Sequence, residues 1–174
     1  MPSLIKAIRK DPKYKTLKQV LENAQSKIDV EKSRKQAFVL HASLEIRGLY
    51  GLKKFSPKRI LSATAQLQAN RSTLVETRAR LTEHLSYVEV AQAAFRRHVF
   101  SEFAEDFRDY RTKEQRDSFI SHATVTVVDF ISEVNALITL IDTFIKDLDQ
   151  AGHNVRHMVD VLKLLANSKG GQVI

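Results

Sequence analysis

The sequence predicts an all-α protein: long antiparallel helices forming a helical bundle or hairpin, with a basic N-terminal extension. Three observations carry this. The 174 residues include only 5 Gly and 3 Pro, too few turn formers for a fold of hairpins or βαβ crossovers. Apolar residues recur every seventh position at Ile60, Leu67, Leu74, Leu81, Val88 and Phe95, as expected of a helix packed on another at a shallow angle. Ser56-Pro57 and Thr112-x-x-Gln115 supply the chemistry of helix starts.

In chain order, a short basic segment, Leu4 to Arg9, ends at Asp11-Pro12, because proline disfavours helix in the residue before it. Leu17, Leu21, Ala24 and Ile28, then Phe38 and Ala42, predict a first long helix from Lys15 to Arg47. Its stretch Asp29 to Gln36 is almost wholly charged and is either solvated or meets a partner. Gly48 and Gly51 bracket a break, and the second long helix starts at Ser56-Pro57. The companion column of its heptads, Ala63, Asn70, Thr77 and His84, is too polar for a simple dimeric zipper, and Asn70 followed by Thr73-x-x-Glu76 predicts a kink or interruption.

The charged segment Glu102 to Arg111 reads as the end of that helix. Thr112-x-x-Gln115 then opens the most hydrophobic helix, with Val127, Phe130, Ile131, Val134, Leu137, Ile138, Ile141, Phe144, Ile145 and Leu148 on a face wide enough to need more than one neighbour. Gly152 is expected to stop it as a left-handed cap. A last amphipathic helix follows from Asn154 to Asn167, and Ser168 to Ile174 reads as a frayed tail. The organisation expected is a basic helical arm over residues 1–55 and a helical core and oligomerisation region over residues 56–174.

Charge is segregated along the chain. Residues 1–80 carry 18 Lys/Arg against 6 Asp/Glu, and residues 81–174 carry 10 against 14, so the halves hold +12 and −4 of the net +8. Clustered cations release condensed counterions when they meet phosphates, so a polyanion is the expected partner. The absence of cysteine excludes disulfides, thiolate nucleophiles and cysteine zinc sites. No glycine-rich phosphate loop or nucleophile elbow is present, and carboxylates are scattered over charged helix faces, so no enzyme, catalytic residue or cofactor is expected. Residues 1–6 hold no apolar run of signal-peptide length, and no stretch approaches the ~20 apolar residues of a membrane span, so a soluble, unprocessed, cytoplasmic chain is expected.

The strongest local constellation is the segment of residues 47–59, which holds Arg47, Lys53, Lys54, Lys58 and Arg59, two glycines and the rings of Tyr50 and Phe55, with no acid among them. Cations for phosphates beside rings for base stacking are what single-stranded nucleic acid requires. The same residues also suit a solvated interhelical loop whose rings close the core, or an acidic protein partner. Arg78, Arg80, Arg96 and Arg97 fall on the second long helix, with His98 beside the last pair. They either extend a phosphate track along it, or Arg96 and Arg97 pair with Glu102 and Glu105 or their neighbours as surface salt bridges. His153 and His157 have the i, i+4 spacing of a metal-binding helix, with Asp160 beyond them. The acid a zinc hydrolase needs between them is missing, so no metal site is expected.

The passage from Phe144 to Val161 carries a resemblance. A hydrophobic helix leads to Gly152, then the aliphatic-basic-histidine step Val155-Arg156-His157, then Asp160-Val161, and in this order it resembles the end of the bacteriophage UvsY family of recombination mediators. The match covers about a fifth of the chain. The resemblance implies a small, all-helical, ring-forming protein that binds single-stranded DNA and helps load a RecA-like recombinase onto strands covered by single-strand binding protein, in the host cytoplasm. Residues 127–165 would form the oligomer. Arg96 and Arg97 are nearest by position to the family's basic DNA-contacting helix. With the preceding helices from about Leu81 onward included by architecture, the likeness reaches about half of the chain. This sequence departs from the family in length, by about 70 extra residues before that region, which hold most of the positive charge. The alternative is a phage virion or assembly protein whose basic half contacts nucleic acid or an acidic partner.

Overall fold

The computed structural model describes residues 2–43, 57–108, 110 and 112–170. Those residues form helices and turns with no strand among them, so the fold is all-α. The helices are α1 (Pro2–Lys10), α2 (Pro12–Lys27), α3 (Val30–Ala42), α4 (Pro57–Glu102), α5 (Lys113–Ala123) and α6 (Val125–Gly170). The chain divides into two units, one of Met1–Ser33 with Ala79–Ile138 and the other of Arg34–Arg78 with Thr139–Ile174. Helices α4 and α6 each contribute residues to both.

In the first unit α2 runs antiparallel to α4. Asp11 meets His98 at 3.0 Å, and the Tyr14 ring lies 5.7 Å from that of Phe95. Ile8, Leu17, Leu81, Val88, Val99, Ile120, Val134 and Leu137 are at most 1 % exposed and make the core. Ile8 and Leu17, from the segment expected to form an arm, are thus part of this core. The Arg9 Nε donates to the Ala123 carbonyl at 3.2 Å, placing a cation on the negative end of α5.

The expected helix from Lys15 to Arg47 is broken at residues 28–29. Ile28 is extended, at φ −114° and ψ 109°, and its N–H closes α2 on the Ala24 carbonyl. The Asp29 carboxylate accepts the Lys32 N–H at 2.8 Å, which makes Asp29 the start of α3. The charged stretch thus opens with a cap.

The helix α4 ends at Glu102, earlier than the charged segment to Arg111 suggested. Residues 103–108 form turns, held by Phe107, whose ring packs at 5.5–5.7 Å on those of Phe100, Tyr110 and Phe119. Thr112 and Gln115 form the expected capping box, but it opens the short α5 and not the hydrophobic helix. Thr124 ends α5 with its N–H and hydroxyl both donating to the Ile120 carbonyl at 2.9 Å, and its own carbonyl accepts from Val127 and Val128 to start α6. The two helices meet there at 91°. No single helix among the described residues is long and apolar enough to cross a membrane.

In the second unit α4 and α6 are antiparallel with a heptad step on each side: Arg71 pairs with Asp149 and Arg78 with Asp142. Leu67, Leu74, Ile141, Phe144, Leu148 and Val155 are buried. Helix α3 lies along α6, with Phe38 edge-on to Phe144 at 5.2 Å and His41 stacked on the same ring at 4.1 Å.

Three expectations for this region are corrected. Asn70 does not interrupt α4; its amide donates to the Leu40 carbonyl at 2.8 Å and the Ser43 hydroxyl at 3.1 Å. It thereby satisfies a carbonyl left open at the end of α3. Gly152 is not a cap, since its φ is not positive and α6 continues through it to Gly170. The last helix is accordingly the continuation of α6, and Gly171 to Ile174 of the expected frayed tail lie outside the described residues.

Candidate nucleic-acid interface

Of the basic segment, Arg47, Tyr50, Lys53, Lys54 and Phe55 lie outside the described residues. Lys58 and Arg59 occupy the first turn of α4, both exposed and without an ion pair among the described residues. Cations there sit at the positive end of the helix dipole, where they repel it and where an incoming anion is favoured twice.

Arg96 and Arg97 belong to the other unit. Arg96 pairs with Asp117 on α5, not with Glu102 or Glu105, and only Arg97 of the two lacks an ion pair among the described residues. Nor does His98 join a phosphate track, because it holds Asp11, the cap of α2. The Asp11 carboxyl is pushed up by burial, but hydrogen bonds from His98 and from the Lys13 and Tyr14 N–H groups, with the nearby His98 charge, bring its pKa below the ordinary value.

The division into units sharpens the charge pattern. The first unit contains 15 Lys/Arg against 14 Asp/Glu, a net of +1, whereas the second contains 13 against 6, a net of +7. The α6 acids of the second unit are moreover occupied. Asp142 pairs with Arg78, Asp147 with His41, Asp149 with Arg71 and Asp160 with Lys163. Lys58, Arg59, Lys146 and Arg156 are exposed and keep no ion pair among the described residues.

Between α4 and α6 of this unit runs a groove of about 410 Å³. Its floor is Leu67, Leu148 and Gly152; one wall carries Gln68, Arg71 and Ser72, and the other Asp149, His153 and Arg156. Arg71 reaches Asp149 through Nε at 2.6 Å and a terminal nitrogen at 3.3 Å, and that hydrogen bond and charge raise the pKa of the guanidinium above its ordinary value. Sequence reasoning missed this groove because its walls are about 80 positions apart. The helical steps 68, 71, 72 and 149, 153, 156 name two faces but not their pairing. The signal that could have found it was the helix-interior glycine.

His153 and His157 are both exposed, and among the described residues no three of His, Asp or Glu converge as metal ligands. No family model, curated protein or solved structure matches the chain.

Proposed function

We propose that this chain is a non-enzymatic single-stranded-DNA-binding protein that acts as a recombination mediator, helping to load a RecA-like recombinase onto strands covered by single-strand binding protein. The single observation that supports it most is the +7 carried by the unit of Arg34–Arg78 and Thr139–Ile174, whose α6 acids are all engaged internally. Such a unit captures a phosphate backbone electrostatically, with little reading of base edges. The resemblance of residues 144–161 to the phage mediators supplies the recombination role.

The test is fluorescence anisotropy with labelled oligothymidylate and with a duplex of equal length, titrated in salt. Tighter binding of the single strand is expected, together with a logarithmic salt slope of about −0.7 per phosphate contacted. A protein that prefers duplex, or whose binding is flat between low and moderate salt, does not have this function. The mediator step is read as faster assembly of a RecA-like recombinase on strands precoated with single-strand binding protein. If the strand binds but assembly is unaffected, the assembly-protein reading takes its place.

A further inference from the structure

We infer that the groove between α4 and α6 seats a backbone phosphate of the bound single strand, held by Arg71, His153 and Arg156 around Gly152. The inference deepens the proposed function and rests on it.

Gly152 is the first reason. It lies inside a helix, where glycine is among the least favourable residues. Its φ is not positive, and among the described residues a Cβ placed on it would meet the Leu67 Cδ2 alone, at 3.8 Å, an ordinary contact. Neither backbone conformation nor packing against the described residues requires glycine here. What the missing side chain provides is depth in the floor of a groove of about 410 Å³, in the size range of small-ligand sites.

The donors are the second reason. Arg71 spends two nitrogens on Asp149, which fixes the plane of the guanidinium and leaves N–H groups free on it. Among the described residues Asp149 is the one acid in the lining, and that pair offsets its charge. Arg156 and His153, three positions apart on the facing wall, have no hydrogen bond or ion pair among the described residues. Ser72 and Gln68 add neutral donors on the Arg71 wall. A planar cation clamped across the groove by Asp149, with a second arginine two turns further along the facing wall, presents donors that match the oxygens of a phosphodiester.

The groove also lies in the unit with the surplus of +7, so the field that draws the strand in and the donors that seat it are on one body. The ligand inferred is a phosphate of a nucleic-acid strand, not free phosphate, since a single diester oxygen pair leaves most of the groove for the adjoining sugar and base.

Three full-length variants test this by anisotropy with labelled oligothymidylate across a salt series. Arg156→Gln should weaken binding about tenfold, the scale of one charge-assisted contact, and reduce the salt slope by about 0.7. Gly152→Leu, which fills the floor and changes no charge, should weaken binding with the slope nearly unchanged. Lys146→Gln, an exposed cation outside the groove, should lower affinity by less than Arg156→Gln. Circular dichroism of each variant should match the wild type.

The groove assignment is overturned if wild type binds the strand while Arg156→Gln and Gly152→Leu bind it equally well, and the single-strand function then stands on another surface. Binding by all variants with Lys146→Gln as the weakest also overturns it, leaving a diffuse cationic face. A groove that serves free anions is revealed if inorganic phosphate competes at constant ionic strength in wild type but not in Arg156→Gln while the variant's strand affinity is unchanged. That outcome too overturns the assignment. If wild type binds no strand, the proposed function fails first and the groove assignment with it.

Discussion

A glycine and an asparagine show how a single residue misleads a reading along the chain. Gly152 follows a long apolar helix and resembles a stop, yet the backbone stays helical because α6 has Leu148 and Val155 buried on either side of it. Asn70 stands in a heptad column and resembles a break, yet it is 8 % exposed and bonded to a carbonyl thirty positions earlier. Both errors share a cause: the deciding partner is remote in sequence. The glycine gives a prediction of its own. Gly152→Ala removes conformational entropy from the unfolded chain and meets Leu67 at an ordinary distance, so it should stabilise the protein by about 0.5–1 kcal/mol. Urea unfolding should show a higher midpoint with an unchanged slope; a lower midpoint would mean that Leu67 cannot accommodate the methyl group.

At the scale of elements, the sequence was most legible where local chemistry decides the outcome. Pro57, the capping box at Thr112 and the column from Leu67 to Phe95 all fall where expected, because caps and heptads act within one turn or one helix face. It was least legible at breaks. The junctions at Ile28-Asp29 and Thr124 contain no Gly or Pro and rest on Asx and threonine hydrogen bonds. Of the candidate site, the cationic bias was legible from composition, but the groove was not, since it needs the register of α4 on α6. Asp11 gives the element-scale prediction. Its carboxylate accepts the Lys13 N–H at 2.6 Å and sits 3.0 Å from His98, so Asp11→Ala should cost about 1–2 kcal/mol at neutral pH. Because the folded pKa is lowered, that stabilisation is complete above the ordinary carboxylate value of about 3.9 and is lost as pH falls through the folded value. Urea denaturation at a series of pH values should therefore show wild type and variant converging below pH ~4, and a constant difference down to the lowest pH would show that Asp11 acts without its charge.

For the whole molecule, the question is what surface remains for self-association once the helices have packed. The centre of the wide α6 face that suggested an oligomer is spent within the chain, since Val127, Val134, Leu137, Ile141 and Leu148 are all 0 % exposed, while Ile131, Ile138 and Ile145 on its flank stay half-buried. Buried residues cannot also join copies, so within residues 127–165 the most exposed large apolar side chains left for assembly lie beyond Val155. There Val161 and Leu164 are 54 % and 69 % exposed, one turn apart on α6. An oligomer would multiply a modest site on each copy into useful affinity for a long strand, since each further contact becomes intramolecular. The net charge of +8 opposes assembly of bare copies and the strand relieves that repulsion, so association should be stronger with DNA present. Light scattering at micromolar concentration is therefore expected to report an oligomer, enhanced by long oligothymidylate and abolished by the double substitution Val161→Glu and Leu164→Glu. Strand affinity for a short oligonucleotide that occupies one copy should barely change in that variant, whereas affinity for a long one should fall by an order of magnitude or more. A wild type that stays monomeric with and without DNA removes the avidity step, and a double variant that still assembles places the interface elsewhere.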